Sequence, residues 1–197
     1  MVTVEQIKNL RETTGISMMQ CKAALEAANG DIQAALVFLK KKGVEVADKK
    51  AERTLKSGLI QSYIHSNGAM GTLLELNCET DFVARNEEFK SLAYDIAMHI
   101  TAMNPVYISD DKVSEEIKRE AREMFAKEVM DMNKPEDIKE KILQGKIDAY
   151  LSEKTLLSQA FVKNPDETVG SLIKDRIQKF GEKIEVGRFV RFSLLDK

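Results

Sequence analysis

The hydrophobic periodicity of this chain changes twice, and that change limits the folds open to it. Up to about residue 56 the apolar residues recur at helical spacing. Between residues 60 and 78 the spacing becomes two, which is typical of strands. Helical spacing then returns until a final segment, Val186 to Leu194, that is rich in Val and Phe. Separate runs of strands and helices predict an α+β fold and not a doubly wound sheet.

The N-terminal part is expected to form a bundle of three short helices. Its three apolar segments are followed by Gly15, by Asn29-Gly30 and by Gly43, residues that readily adopt the left-handed backbone that ends a helix. Ser17 and Asp31 precede the second and third segments as N-caps.

The rest of the chain is expected to build a core around a small antiparallel sheet of about three strands. Two period-two runs flank Asn67-Gly68, a favourable hairpin turn, and residues 186–194 supply the third strand. Helices are predicted from Phe89 to the Asn104-Pro105 stop and after Thr168, with two more between them, over Val113 to Phe125 and Ile138 to Leu151. The predicted organisation is a three-helix module over residues 1–45, a charged helical linker over 46–56 and an α+β core over 57–197.

Composition and motifs argue against an enzyme and against a resident cofactor or metal. The chain of 197 residues carries 30 basic and 32 acidic side chains, a net charge of -2 that excludes binding to polyanions through overall charge. It has neither a GxxxxGK[ST] loop nor a GxGxxG turn, and its histidines lie in no nucleophile motif. The two cysteines, Cys21 and Cys78, are too widely spaced for a structural zinc site with His65 and His99.

No segment is long and apolar enough to span a membrane, and the N-terminus resembles no leader peptide. We therefore expect a cytoplasmic protein.

One stretch is locally basic. Seven basic and three acidic residues lie between Lys40 and Lys56. The stripe is consistent with a phosphate-binding surface on RNA or the ribosome, but aromatic residues do not interleave with it, so a solvated connecting helix is the favoured interpretation.

The junction between the second strand and the long helix combines polar residues with an aromatic one, over Asn77 to Asn86. In one interpretation Thr80 or Asp81 caps a helix and Phe82 packs into the core as a staple, and local pattern alone favours it. In the other, Asp81 and Phe82 stand on an exposed tip as a binding hot spot, flanked by Thr80 and Val83.

Two other features admit both structural and functional interpretations. His99 borders the apolar stripe of the long helix, where a hydrogen-bonded boundary histidine is common. Met18-Met19 is expected to be one core residue beside one exposed thioether, and exposed methionines suit adaptable partner surfaces.

Several stretches in the same order across most of the chain resemble one family, bacterial elongation factor Ts in its short form. These are Leu10 to Leu25 with Asn29-Gly30-Asp31, Leu76 to Ala84, Ala97 to Ile100, Leu157 to Lys163, Thr168-Val169-Gly170, and Arg188 to Phe192. The resemblance implies that the N-terminal bundle is a ubiquitin-associated-like module.

The resemblance also implies a role in translation elongation, as a guanine nucleotide exchange factor. The expected partner is elongation factor Tu, in its GDP-bound and nucleotide-free states, with no membrane and no direct nucleic-acid partner. Asp81 and Phe82, with Thr80 and Val83 around them, would disturb its magnesium and phosphate site so that GDP leaves. A secondary set would contact the partner elsewhere: Arg11, Met18, Met19 and His99. The short chain further suggests a homodimer.

Overall fold

The computed structural model describes residues 2–196. Within that range eight α-helices and five strands follow one another in a mixed order. The helices are α1 (Val4–Thr14), α2 (Met18–Ala27), α3 (Ile32–Lys50), α4 (Asp81–Ala84), α5 (Glu87–Met103), α6 (Glu115–Met130), α7 (Glu136–Lys154) and α8 (Val169–Phe180). The strands are β1 (Ser57–Ile64), β2 (Met70–Cys78), β3 (Ala160–Phe161), β4 (Asn164–Thr168) and β5 (Ile184–Ser193). Two short 3-10 turns are formed by Asp110–Lys112 and Leu156–Ser158.

The chain divides into two compact units, each assembled from three separate stretches. The first unit contains the residues up to Gln61, Leu74–Ala93 and Ser171–Gly187. The second unit contains Ser62–Leu73, Tyr94–Gly170 and the residues from Arg188 onward.

The three N-terminal helices of the first unit form as the cap residues predict. Ser17 caps α2, Asp31 caps α3 through a 2.9 Å bond from the Ala34 amide, and Gly15 ends α1 at φ +68°. Their inward side chains form one apolar cluster: Ile7, Leu10, Ile16, Cys21, Ala24, Leu25, Ala35 and Leu39.

The predicted end of the third helix at Gly43 is wrong. α3 continues through Gly43 to Lys50, so no separate helix begins at residue 46. Gly43 is buried, and a Cβ there would lie 2.9 Å from the Gln178 Oε1 atom. The glycine therefore provides close packing against another element instead of a stop signal. The boundary of the N-terminal module at residue 45 stays a prediction.

The predicted three-stranded antiparallel sheet is confirmed, with strand order β1-β2-β5. The amide of His65 donates to the Met70 carbonyl at 2.9 Å and closes the hairpin around Asn67-Gly68. The sequence patterns did not indicate the second sheet, in which β3 pairs with β4 antiparallel, because β3 has only two residues.

The helical predictions for the core also hold. The predicted stripe of α5 is buried along its whole length: Phe89, Leu92, Ala93, Ile96, Ala97 and Ile100. In the second unit α6 and α7 pack on each other around Ala121, Val129, Leu143 and Ile147. Within residues 2–196, none of the helices combines the length and apolarity that a membrane crossing requires.

Candidate functional site

A tight turn of helix follows directly from the end of β2, in the first unit. Thr80 has extended backbone, and its hydroxyl accepts a 3.5 Å hydrogen bond from the Val83 amide, which makes it the N-cap of α4. The α4 helix then lasts only four residues, because Asn86 accepts the Glu88 amide at 2.8 Å and starts α5. Of the two predicted caps, Thr80 and Asp81, the structure therefore selects Thr80.

The first two side chains of α4, Asp81 and Phe82, are exposed, and the last two are buried. Val83 and Ala84 are buried and fix the turn to the core. Phe82 is 86% exposed, the largest exposed fraction among the large hydrophobic residues of the described chain. The interpretation that placed Phe82 in the core as a staple is therefore wrong. Thr80 still caps the helix, and the ring points outward because Val83 and Ala84 occupy the buried side.

Asp81 is exposed beside Phe82. Its carboxylate lies 3.2 Å from the Arg85 guanidinium, one turn later, and 59% of its side chain remains accessible to solvent. An exposed pair of this kind holds its partners weakly. The Asp81 carboxylate can therefore exchange Arg85 for another cation at little cost.

Two carboxylates hold the backbone that leads into α4. The Glu182 carboxylate accepts the Thr80 amide at 3.0 Å and the Thr80 hydroxyl at 2.6 Å. The Glu79 carboxylate accepts the Lys183 amide at 2.6 Å and pairs with the Arg53 guanidinium at 3.2 Å. Desolvation raises the pKa of Glu79, but the Lys183 amide and Arg53 outweigh it, so the pKa lies below its ordinary value.

Cys78 lies directly before this turn and is buried. Its thiol donates to the Thr80 carbonyl at 3.2 Å. Burial, together with the negative charge of Glu182, raises the pKa of the thiol, so it is neutral and unreactive at neutral pH. Its neighbourhood therefore favours a packing role for Cys78 over that of a nucleophile.

The secondary set is divided between the two units. Arg11 is exposed on α1, and Met18 and Met19, at the start of α2, are 37% and 78% exposed. The expectation that Met18 is a core residue is wrong. It is the first residue of its helix, beyond the packed stripe of Cys21, Ala24 and Leu25.

His99 is in the interior of the second unit, with no exposed surface, and not at the border of the buried face. Its Nε2 atom lies 2.9 Å from Gln159 Oε1, and its Nδ1 atom accepts the Val162 amide at 3.2 Å. An accepting Nδ1 requires the neutral tautomer with its proton on Nε2, which donates to Gln159. Burial also lowers the pKa of His99 below its ordinary value. The predicted partner contact of His99 stays a prediction. Because the ring is buried, any effect of this residue must pass through the segment from Gln159 to Val162 that it holds.

Three residues that support the junction were missed from the sequence: Arg53, Glu182 and Lys183. Glu182 is 102 residues from Thr80 along the chain, so no local pattern connects them. The only nearby signal is Gly181, at φ +72°, which ends α8 and turns the chain toward Glu182. Over residues 2–196 no cluster of three or more His, Cys, Asp or Glu side chains is arranged to hold a metal ion.

Comparisons with known proteins agree on one family. The family model described as Elongation factor TS matches residues 22–196. Elongation factor Ts of Carboxydothermus hydrogenoformans is 46% identical over 98% of this chain and 89% of its own. The protein of that name from Thermodesulfovibrio yellowstonii is 47% identical over 98% and 96% of the two chains. That from Thermosipho melanesiensis is 44% identical over 98% and 99%.

Proposed function

Because this chain belongs to the elongation factor Ts family of translation elongation factors, we propose that it accelerates GDP release from elongation factor Tu. The observation that carries the proposal is the exposed ring of Phe82 on a short, capped helix. A large apolar side chain without cover costs solubility and adds nothing to the fold of its own chain. It is the kind of anchor that dominates binding between proteins.

Asp81 and Phe82 have complementary tasks in this mechanism. The ring enters an apolar gap in the partner and holds its nucleotide-binding elements apart. The carboxylate, which has only the exposed Arg85 as a partner, competes with phosphate oxygens for positive charge near the magnesium ion. Val83 anchors the turn from below, and Thr80 fixes its first residue.

Exchange of this kind is an equilibrium effect that involves no bond chemistry, so the protein is proposed not to be an enzyme. The factor and GDP each weaken the binding of the other by the same ratio. For net acceleration the factor must prefer the distorted or nucleotide-free partner, since equal affinity for both states would shift nothing. An incoming nucleotide then expels the factor by the same coupling.

The N-terminal module supplies a second contact in this proposal. Arg11, Met18 and Met19 are exposed on the outside of the bundle and combine a cation with two flexible apolar side chains. His99 acts indirectly, by holding the segment from Gln159 to Val162. Translation elongation takes place at ribosomes, so a cytoplasmic location is part of the proposal.

A homodimer is proposed on the basis of an exposed apolar face in the second unit. Its members line one groove and range from 45% to 74% exposed: Ile64, Leu73, Phe192 and Leu194. Contiguous apolar patches of this kind mark interfaces in soluble proteins. A second copy related by a two-fold axis would cover the patch with an identical one.

The alternative, an RNA- or ribosome-binding role for the basic stripe, has weaker support. Lys42 pairs with Glu45, Arg53 with Glu79, and the Lys50 ammonium donates to the Gly181 carbonyl at 2.5 Å. Several of the cations are therefore used within the chain. RNA binding would fall steeply with salt and would survive the loss of Phe82.

The experiment is release of a fluorescent GDP analogue from purified elongation factor Tu, with and without the full chain. We expect faster release that saturates with the concentration of the chain and depends on Phe82. A release rate that the chain leaves unchanged at every concentration contradicts the proposed function.

A further inference from the structure

Phe82 makes so little contact with its own chain that its position depends on the backbone beneath it. On the C-terminal side, buried Val83 and Ala84 hold that backbone. On the N-terminal side, Cys78 is buried, but Thr80 is exposed and Glu79 is only partly covered. The two residues that lead into α4 therefore lack apolar anchors and need polar ones.

The segment after α8 supplies those anchors in a reciprocal arrangement. Glu182 accepts the amide of Thr80, and Glu79 accepts the amide of Lys183, so each segment gives the other one carboxylate and one amide. Hydrogen bonds to a carboxylate are about twice as strong as neutral ones. The arrangement fixes the backbone of Thr80 without a covering layer of side chains.

Glu182 also sets the direction of the Thr80 hydroxyl. That hydroxyl has a single hydrogen, and the 2.6 Å contact to Glu182 Oε1 requires it to point at the carboxylate. Its lone pairs are then free to accept the Val83 amide at 3.5 Å, the bond that caps α4. Loss of Glu182 would free the hydroxyl to rotate and would weaken the cap of the helix that carries Phe82.

We propose that Glu182 is a positioning residue for nucleotide exchange: it fixes Thr80 and thereby the direction in which α4 presents Phe82. The proposal rests on the exchange function proposed above. Glu182 acts through Thr80 and need not touch the partner.

The test is a double-mutant cycle between Glu182→Ala and Phe82→Ala in the GDP-release assay with the full chain. If Glu182 acts by directing the ring, Glu182→Ala alone slows the saturating release rate by roughly tenfold, because misplaced contact groups lose most of their effect. In the Phe82→Ala background the same change has almost no further effect, since no ring remains to be directed. The factor concentration for half-maximal release changes less than the saturating rate.

Glu182→Gln is the conservative variant, and Glu185→Gln is the matched control. A glutamine keeps one acceptor oxygen for Thr80, so about a threefold loss is expected. Glu185 carries the same charge three residues later and pairs with the Lys183 ammonium at 2.9 Å, away from Thr80, so its replacement should leave release unchanged. Circular dichroism at the assay temperature verifies that each variant is folded. If Glu182→Ala unfolds the chain, the same cycle is run with Glu182→Gln.

Two results overturn the inference. One is a Glu182 variant that is folded and fully active. The other is a double variant whose loss of release rate equals the product of the losses in the two single variants. Failure of the exchange function itself looks different. In that case the unaltered chain does not accelerate release, or Phe82→Ala does not slow it.

Discussion

Replacement of Phe82 by alanine should weaken the interaction with the partner strongly while leaving the stability of the fold almost unchanged. The residue is 86% exposed. A Phe side chain offers roughly 150 Å² or more, so about 130 Å² is available to a partner. At about 25 cal/mol per Å², full cover of that surface is worth about 3 kcal/mol. Alanine keeps the Cβ atom, and a partner seldom covers a side chain completely, so Phe82→Ala should lose about 2–3 kcal/mol of binding free energy.

That loss corresponds to a roughly 30- to 150-fold slower release of GDP at a fixed, subsaturating factor concentration. Some of this loss should remain when the factor is saturating. The loss in the saturating rate measures how much more tightly the ring binds the distorted partner than the GDP-bound partner. The free energy of unfolding, in contrast, should change by less than about 0.5 kcal/mol, because an exposed ring contributes little to the fold. Chemical denaturation measures this second quantity.

Met130→Ala is the matched control. Met130 is 72% exposed at the end of α6, so its loss removes a comparable apolar surface away from α4. It should alter neither the release rate nor the stability. Equal release rates for the Phe82→Ala and unaltered chains, with both folded, would refute the reasoning.

Three further expectations follow from the structure. Thr80→Val should lower the free energy of unfolding by about 1 kcal/mol and slow GDP release. Thr80→Ser keeps the hydroxyl and should retain most of the stability and most of the release rate. Equal losses in the two variants would exclude the cap as the cause. The lowered pKa of His99 means that the unfolded chain binds a proton more readily than the folded one, so stability should decline as pH falls below about 6.5. Denaturation between pH 7.5 and 5.5 measures this slope, and a slope that is identical in His99→Gln would assign it to other groups. Phe192→Glu should convert a homodimer into a monomer in sedimentation equilibrium, because a two-fold interface would bring two carboxylates into an apolar contact. An unaltered chain that is already monomeric would contradict the proposed dimer.

Much of the architecture was accessible from local patterns because the forces that produce it are local. The caps Ser17 and Asp31 and the turn at Asn29-Gly30, with φ values of 52° and 87°, depend only on nearby backbone. The apolar stripe of α5 depends on helical spacing alone.

The errors arose where a distant residue decides the outcome. Gly43 looked like a helix stop, but the neighbour that requires its missing side chain is Gln178, far along the chain. His99 looked like a boundary residue because its hydrogen-bond partners, Gln159 and Val162, are not visible from its own helix.

The exposed tip is the most instructive case. Local pattern predicted a cap at Thr80 or Asp81 but could not determine whether Phe82 points inward, since a capped turn is compatible with both directions. Only the tertiary structure distinguishes them, through buried Val83 and Ala84 on the opposite side. The family resemblance indicated the exposed direction where physical pattern favoured the buried one.

The 102-residue interval between Thr80 and Glu182 also has a consequence for the order of events during synthesis. Chains emerge from the ribosome N-terminus first, so the turn that carries Phe82 leaves the exit tunnel long before its clamp exists. Glu182 lies in Ser171–Gly187, the last of the three stretches that make up the first unit. A nascent chain is thus unable to fix the turn that carries Phe82 until the segment around Glu182 has also left the tunnel.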